Sequence, residues 1–328
     1  MLYPVVIFGT IAFDNIFEYD KDFSMRFKDY KDKISINFIT PIYKKYFGGT
    51  ASNVAYNLAL LNTKCRIMAS AGSDFSEYKK WLNNHEINTD WIVEHNDIMT
   101  SSCVIVNDRN NNQIELFYPG SMNNDKNLTL YNKNIEGIKL AIISPTDVDA
   151  MLLRSQECTA LDIPYIFDPG MLLERFIVDD LFKCCTKATV VIMNEFEFDL
   201  FLKIANLNFN EAASLFPTLI ITRGSNGSTL YNNGNTINIP VVNSKKVKDT
   251  TGAGDAYKAG LAFGIINDLS LENCCKIGST IASFKVETNG SMNHLFTKEE
   301  FILRYKTHYD NYYQIEKFTK NFKEMNDT

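Results

Sequence analysis

Six short β-branched or aliphatic runs punctuate the chain: VVIFG (5–9), RIMASAG (66–72), KLAIIS (139–144), PYIFD (164–168), TVVIM (189–193) and TLIITRG (218–224). Each is followed by a stretch with helical spacing. Strands that read as continuous apolar runs are buried on both faces, so this alternation predicts a mostly parallel sheet with helices on both sides. The expected fold class is a three-layer α/β/α sandwich. Two segments break the rhythm. Residues 10–46 and 99–120 hold alternating patterns such as SSCVIV and QIELFY, the latter pair joined by the turn-rich NDRNNNQ, which reads as a hairpin. Lying between units of the main pattern, they are expected to form a small β-sheet lid over the C-terminal edge of the main sheet. No repeat or linker divides the chain, so 1–328 is read as a single domain. From about residue 297 the chain reads as a terminal helix whose last residues, KEMNDT, fray.

Composition narrows the function. With 45% hydrophobic, 22% charged and 12% aromatic residues the chain is that of a globular protein. No apolar run approaches the 18 or so residues that a membrane helix needs. MLYPVVIFGTIAFDN lacks a basic leader region and reads as a first strand rather than a signal peptide. Seven cysteines, two pairs of them adjacent and none in a ligand spacing, predict reduced thiols in a cytoplasmic protein. A formal charge of −6 without a basic stripe argues against nucleic-acid and anionic-membrane partners.

The stretch DTTGAGDAYKAGLAFG (249–264) turns into a helix. From Ala256 on, Ala256, Ala259, Gly260 and Gly264 form a smooth face expected to pack against the sheet. Gly252, Ala253 and Gly254 then fall where the first helical N–H groups lack partners and the macrodipole is positive, which suits an anion. Asp255, just inside, could accept a proton from an alcohol during phosphoryl transfer. A tight turn followed by a favourable first-turn Asp explains the same residues equally well.

Four further stretches admit bland local readings. FGGTASNVAYNLALLN (47–62) reads as a Gly turn into a core helix, capped by Ser52 or Thr50. Asp14 in FGTIAFDN begins an Asp-Asn turn pair. Asn194 and Glu197 in MNEFEFDLF form a capping box. ITRGSNG (221–227) reads as a hairpin turn. The four histidines are isolated and structural or solvent-facing. No GxxxxGK[ST], GxGxxG, HExxH or GxSxG motif occurs, which removes the usual NTPase, dinucleotide, zinc-protease and hydrolase readings.

Asp249-Thr250-Thr251-Gly252-Ala253-Gly254-Asp255, with Ala259-Gly260-Leu261-Ala262 after it, resembles the C-terminal signature of the PfkB carbohydrate kinase (ribokinase-like) family. The Gly48-Gly49 pair, Asn53, Ala55 and Gly72 resemble the N-terminal signature. Asn62 departs from it, standing where the family has Gly or Ser, and Asn tolerates the left-handed backbone expected there. The resemblance spans roughly residues 3–305 and implies a ribokinase-like fold. It implies that Asp255 is the catalytic base and that Gly252, Ala253 and Gly254 hold the transferred phosphate. It implies that Asp14, Gly48, Gly49 and Asn53 contact the substrate, and that Asn194 and Glu197 hold Mg²⁺ through water. It also implies ATP contacts at Asn194, Thr222, Arg223, Gly224, Gly227, Asn289 and Gly290, and a K⁺ site near Asp249 and Thr251.

GTIAFDNI, NNQIELFYPGSMN and YIFDPG are similar to the family's adenosine and nucleoside kinase branch, whose lid aromatics lie near the base; here these are Phe117 and Tyr118. The expected reaction is ATP-dependent phosphorylation of a nucleoside 5′-hydroxyl, adenosine first. A ribose or fructose kinase is the alternative, and a non-catalytic nucleoside sensor ranks below both. A phosphosugar would call for a basic cluster near Asp14, where only Lys44, Lys45 and Arg109 are scattered. Monomer and homodimer both remain open.

Overall fold

The six apolar runs all become strands of one sheet. The computed structural model describes residues 2–24, 36–110 and 112–309, so residues 25–35 of the first interrupting segment, Asn111 and the KEMNDT terminus lie outside the described residues. In chain order the strands are β1 (Val5–Phe8), β2 (Ala12–Glu18), β3 (Ile42–Gly48), β4 (Cys65–Gly72), β5 (Ile92–His95), β6 (Ser101–Asn107) and β7 (Gln113–Tyr118). They continue as β8 (Leu140–Ile143), β9 (Tyr165–Phe167), β10 (Val190–Asn194), β11 (Thr218–Thr222), β12 (Ser228–Asn232) and β13 (Asn235–Ile239). The helices are α1 (Thr50–Leu60), α2 (Ser76–Asn84), α3 (Val148–Ala160), α4 (Val178–Lys187) and α5 (Glu195–Ala205), then α6 (Phe209–Leu215), α7 (Ala253–Ile266), α8 (Leu271–Lys285) and α9 (Lys298–His308).

The main sheet runs β13-β12-β11-β10-β9-β8-β1-β4-β5 and is parallel from β11 to β5, with the hairpin β12–β13 closing one edge antiparallel. Side chains alternate across a strand, so each central strand feeds two cores. Val5 and Ile7 of β1 join one core, packed with α1, α7 and α8, while Val6 and Phe8 join the other with α3, α4 and α5. That split is the three-layer sandwich. The seven cysteines are unpaired and buried. Among the described residues no helix is long and apolar enough to cross a membrane.

The interrupting segments form a second sheet in the order β3-β2-β6-β7, with β2 and β6 parallel and the outer pairs antiparallel. Two expectations need correcting. The small-residue face of α7 packs against α8 rather than the sheet: a Cβ on Gly260 would lie 2.6 Å from the Gly278 Cα, and one on Gly264 would meet Cys274. Two glycines facing each other let the helix backbones approach closely, which a sheet surface does not require. The start of α1 is capped by neither Ser52 nor Thr50. Gly49 is its N-cap residue, without a side-chain bond, and the Thr50 hydroxyl instead accepts from Thr10 N and donates to the Pro145 carbonyl. Asn62 does take the left-handed backbone, with φ 51°.

Candidate active site

In a parallel sheet the loops after the strands gather at one edge. Ser144 follows β8, Asp168 follows β9, Asn194 ends β10 and Thr222 ends β11, and α7 begins above them. Between them lies a cavity of about 380 Å³ whose lining includes Asp168, Asn194, Glu197, Thr222, Gly252, Gly254, Asp255 and Lys258.

Gly252 caps α7 with φ 79°, a left-handed turn that glycine adopts without strain. Ala253 N is turned back to the Thr250 carbonyl at 3.0 Å, and the first bond into the helix runs from Ala256 N to Gly252 O at 2.9 Å. The N–H groups of Gly254 and Asp255 have no main-chain acceptor among the described residues, and a Cβ on Gly254 would meet nothing within 4 Å. The Gly252 N–H likewise has no main-chain acceptor among the described residues, so of the expected Gly252, Ala253 and Gly254 amides only that of Ala253 is taken up by the turn, and the Asp255 amide joins the other two.

Asp255 is buried, at 8% exposure, and its two carboxylate oxygens are held separately. Asn53 Nδ2 donates to Oδ2 at 2.8 Å, and Lys258 Nζ lies 2.9 Å from Oδ1. Lys258 also donates to Ser144 Oγ at 2.9 Å and forms an ion pair with Asp168. Burial pulls the Lys258 pKa down, but the Asp168 and Asp255 carboxylates outweigh it and hold the ammonium above its ordinary range. Removing one partner from such a buried group costs about 3–5 kcal/mol, so the arrangement locks Asp255 in place. The remaining acceptor of Asn53, Oδ1, is buried and has no partner among the described residues.

Asp14 lies on β2, opposite Tyr46 of β3 and Cys103 of β6, with Phe117 of β7 opposite Cys103. These four share one face. Burial, helped by the carboxylates of Glu115, Asp249 and Asp255, pushes the Asp14 pKa up to about 7. Glu115, two residues from Phe117 on the same face, accepts from the Cys103 thiol at 3.1 Å. Tyr118 pairs with Ser102 and so projects from the opposite face. Of the two expected lid aromatics, only Phe117 shares the face of Asp14, across the intervening strand β6.

The glycine pair serves the chain's own packing. A Cβ on Gly48 would collide with the Asp14 carboxylate, and one on Gly49, at φ 95°, would strike the main chain at Thr10 and Ala12. Two of the scattered cations are engaged within the small sheet: Lys44 pairs with Glu18, and Lys45 sits 3.9 Å over the Phe13 ring.

Asn194 and Glu197 form the capping box, with Asn194 N donating to Glu197 Oε2 at 2.7 Å and Glu197 N to Asn194 Oδ1 at 2.9 Å. Burial and the neighbouring Asp168 carboxylate push Glu197 up to about 7, with Lys258 opposing and Asp255 adding to the rise. Three carboxylates (Asp168, Glu197, Asp255) against one ammonium (Lys258) line the cavity. That excess suits a divalent cation that keeps its waters, as Mg²⁺ does.

Thr222 lines the cavity, whereas the Arg223 guanidinium is turned to the Thr229 hydroxyl. Gly224 borders open space; Gly227, at φ 80°, is required by the Ile239 carbonyl against it. Asn289 and Gly290 stand apart from the cavity lining. Gly290 N donates to Asp249 Oδ2 at 2.8 Å, and a Cβ there would meet the Tyr46 ring.

Asp249 and Thr251 do not fit a K⁺ ion. Thr251 N and Gly290 N donate to the two Asp249 carboxylate oxygens, each at 2.8 Å, and the Lys285 ammonium takes the Asp249 carbonyl at 2.8 Å. Sequence reasoning missed Lys258, Asp168, Glu115, Tyr46 and Lys285. A strand-end position marks Asp168, and spacing of three from Asp255 marks Lys258. Nothing local marks Lys285.

The chain as a whole is similar to known proteins. The pfkB family carbohydrate kinase model matches residues 21–298. A nucleoside kinase of Methanocaldococcus jannaschii is 30% identical over 302 residues, covering 92% of this chain and 96% of that one. The structure of Burkholderia thailandensis nucleoside kinase in complex with inosine superposes with a TM-score of 0.85 at 30% identity, over 93% of this chain and 98% of that one. Its complex with ADP-inosine superposes at 0.82, also at 30% identity, over 93% and 96%.

Proposed function

Since the chain belongs to the pfkB family of carbohydrate kinases and is a phosphotransferase acting on an alcohol, we propose that it transfers the γ-phosphoryl group of ATP to the 5′-hydroxyl of a purine ribonucleoside, adenosine first. The setting of Asp14 carries this reading. Glu115, Asp249 and Asp255 surround it with negative charge, which disfavours a substrate that already bears a phosphate. A neutral vicinal diol can donate two hydrogen bonds to one carboxylate. Phe117, on the same face two strand spacings or about 10 Å away, leaves room for a planar base. The inosine complex of the Burkholderia thailandensis relative supports a purine there.

In this reading Asn53 Oδ1 receives a further ribose hydroxyl, and Asp255 accepts the proton of the attacking 5′-oxygen while Lys258 fixes its carboxylate. The amides at the start of α7 receive the migrating phosphoryl group. Asn194, Glu197 and Asp168 would hold a hydrated Mg²⁺, whose charge would offset that of the triphosphate. Thr222 and Gly224 border the donor, and Arg223, Gly227, Asn289 and Gly290 shape its surroundings from further out. The small sheet serves as the lid that excludes water and suppresses hydrolysis of ATP.

Assays with ATP and a panel of adenosine, inosine, guanosine, cytidine, ribose, fructose and fructose 6-phosphate test this. Purine nucleosides are expected to give the highest kcat/KM, and Asp255→Ala is expected to lose about 10²–10⁴-fold in kcat. Turnover of free sugars with no nucleoside turned over would overturn the acceptor assignment. Nucleoside binding without turnover would instead mark a sensor.

A further inference from the structure

The turn that ends α8 lies against the loop that leads into α7. Lys248 N and Asp249 N both donate to the Val286 carbonyl, at 2.7 and 3.3 Å. Between these two segments sits the ammonium of Lys285, whose side chain has no exposure to solvent. It donates to the main-chain carbonyls of Asp249 at 2.8 Å and Thr288 at 3.3 Å, and lies 3.8 Å from Asp249 Oδ2.

Carbonyl oxygens that replace a hydration shell, joined by one carboxylate, are the surroundings in which a weakly hydrated monovalent cation binds. An ammonium carries the same charge and meets the same oxygens through hydrogen bonds. A lysine that merely capped the end of α8 could send its head group to water while its stem stayed packed. Lys285 turns inward instead, although burying an ammonium is unfavourable unless fixed partners compensate. Burial draws its pKa down and the Asp249 carboxylate partly restores it. Its partners also matter to the site, because Asp249 is three residues from Gly252, where the anion-facing turn of α7 begins.

We infer that Lys285 is a built-in monovalent cation: a positioning residue that holds the 249–251 loop, and through it the start of α7, so that phosphoryl transfer by this protein needs no K⁺. The inference rests on the kinase activity, not on which acceptor is used, and the cation series below is run with whichever acceptor is turned over. Failure of the nucleoside assignment therefore leaves this result readable.

At a constant ionic strength of about 0.1 M, wild-type kcat/KM is expected to agree within about twofold in potassium, sodium, caesium and choline chlorides. Activation by potassium over choline of about tenfold or more would overturn the inference. In choline, Lys285→Ala is expected to lose at least about tenfold in kcat/KM, and potassium or methylammonium should restore it. The same cations should raise the variant's Tm relative to choline, a readout independent of catalysis. A folded variant whose turnover and Tm ignore every cation would show a purely structural lysine and sink the idea. Should Lys285→Ala not fold in any of these salts, Lys285→Gln is judged by the same two readouts.

Discussion

Gly48 lacks a side chain where the carboxylate of Asp14 lies, and this absence gives Asp14 its seat. Gly48→Ala is therefore expected to displace Asp14 and raise the acceptor KM, leaving kcat and the KM for ATP little changed; steady-state kinetics with each substrate varied in turn checks this. The pH dependence follows from the charges around that seat. With a pKa raised to about 7, Asp14 is protonated below that pH and cannot accept both hydroxyls of a diol. Acceptor kcat/KM should thus be flat above about pH 7 and fall roughly tenfold per unit below it. Glu197, also raised to about 7, lines the cavity assigned to the donor, so its titration should enter through the KM for ATP. Asp14→Asn should lower acceptor kcat/KM and remove the acceptor's acidic limb, while the pH dependence of the ATP term persists. An unchanged limb in Asp14→Asn would assign the titration to another group.

At the level of elements, the strands were legible because burial on both faces leaves a run of apolar residues in the sequence, and the two cores follow from alternation along those same runs. The helix starts at Gly252 and Asn194 were legible because capping needs particular residues at fixed spacing. What packs against a helix is not written in the helix itself. The stripe of Ala259, Gly260 and Gly264 announces a close approach, but only Gly278 and Cys274 on α8 say to what. Lys285 is illegible for the same reason, since its acceptor at Asp249 is 36 residues away in sequence. The α7–α8 contact makes a specific prediction. Gly260→Val must push apart two backbones at a point where a Cβ would lie 2.6 Å from the Gly278 Cα. Overpacking of this kind typically costs about 1–3 kcal/mol. Urea denaturation should show that loss, and turnover should fall as well, because α7 carries Asp255 only one and a half turns before Gly260. A variant as stable as wild type would mean that the helices can separate freely.

For the whole molecule, the question is how the small sheet rides on the large one. It is anchored at its base, where Phe47 stacks on Tyr78 at 4.3 Å and lies 5.5 Å from Trp81, and Phe13 packs against Tyr78 at 5.6 Å. Its far strand is bare: Leu116, Phe117 and Tyr118 of β7 are 63%, 46% and 45% exposed. Three large apolar side chains in a row on an edge strand point to something that covers them. Alternation assigns them to two faces, with Phe117 on the face of Asp14 and Tyr118 on the other. If the sheet closes over a nucleoside, only Phe117 should feel the base. Stacking of a base on an aromatic ring is worth about 1–3 kcal/mol by alanine substitution, so Phe117→Ala should raise the acceptor KM by about fivefold to a hundredfold. Tyr118→Ala should change it by less than about twofold, because its ring never meets the substrate. Hydrogen exchange supplies the second check: saturating nucleoside should slow exchange of the amides at 113–118 in wild type, and less so in Phe117→Ala. Equal effects of the two substitutions on KM would mean that β7 is covered by a second copy of the chain or by another partner, and that closure over substrate does not use this face.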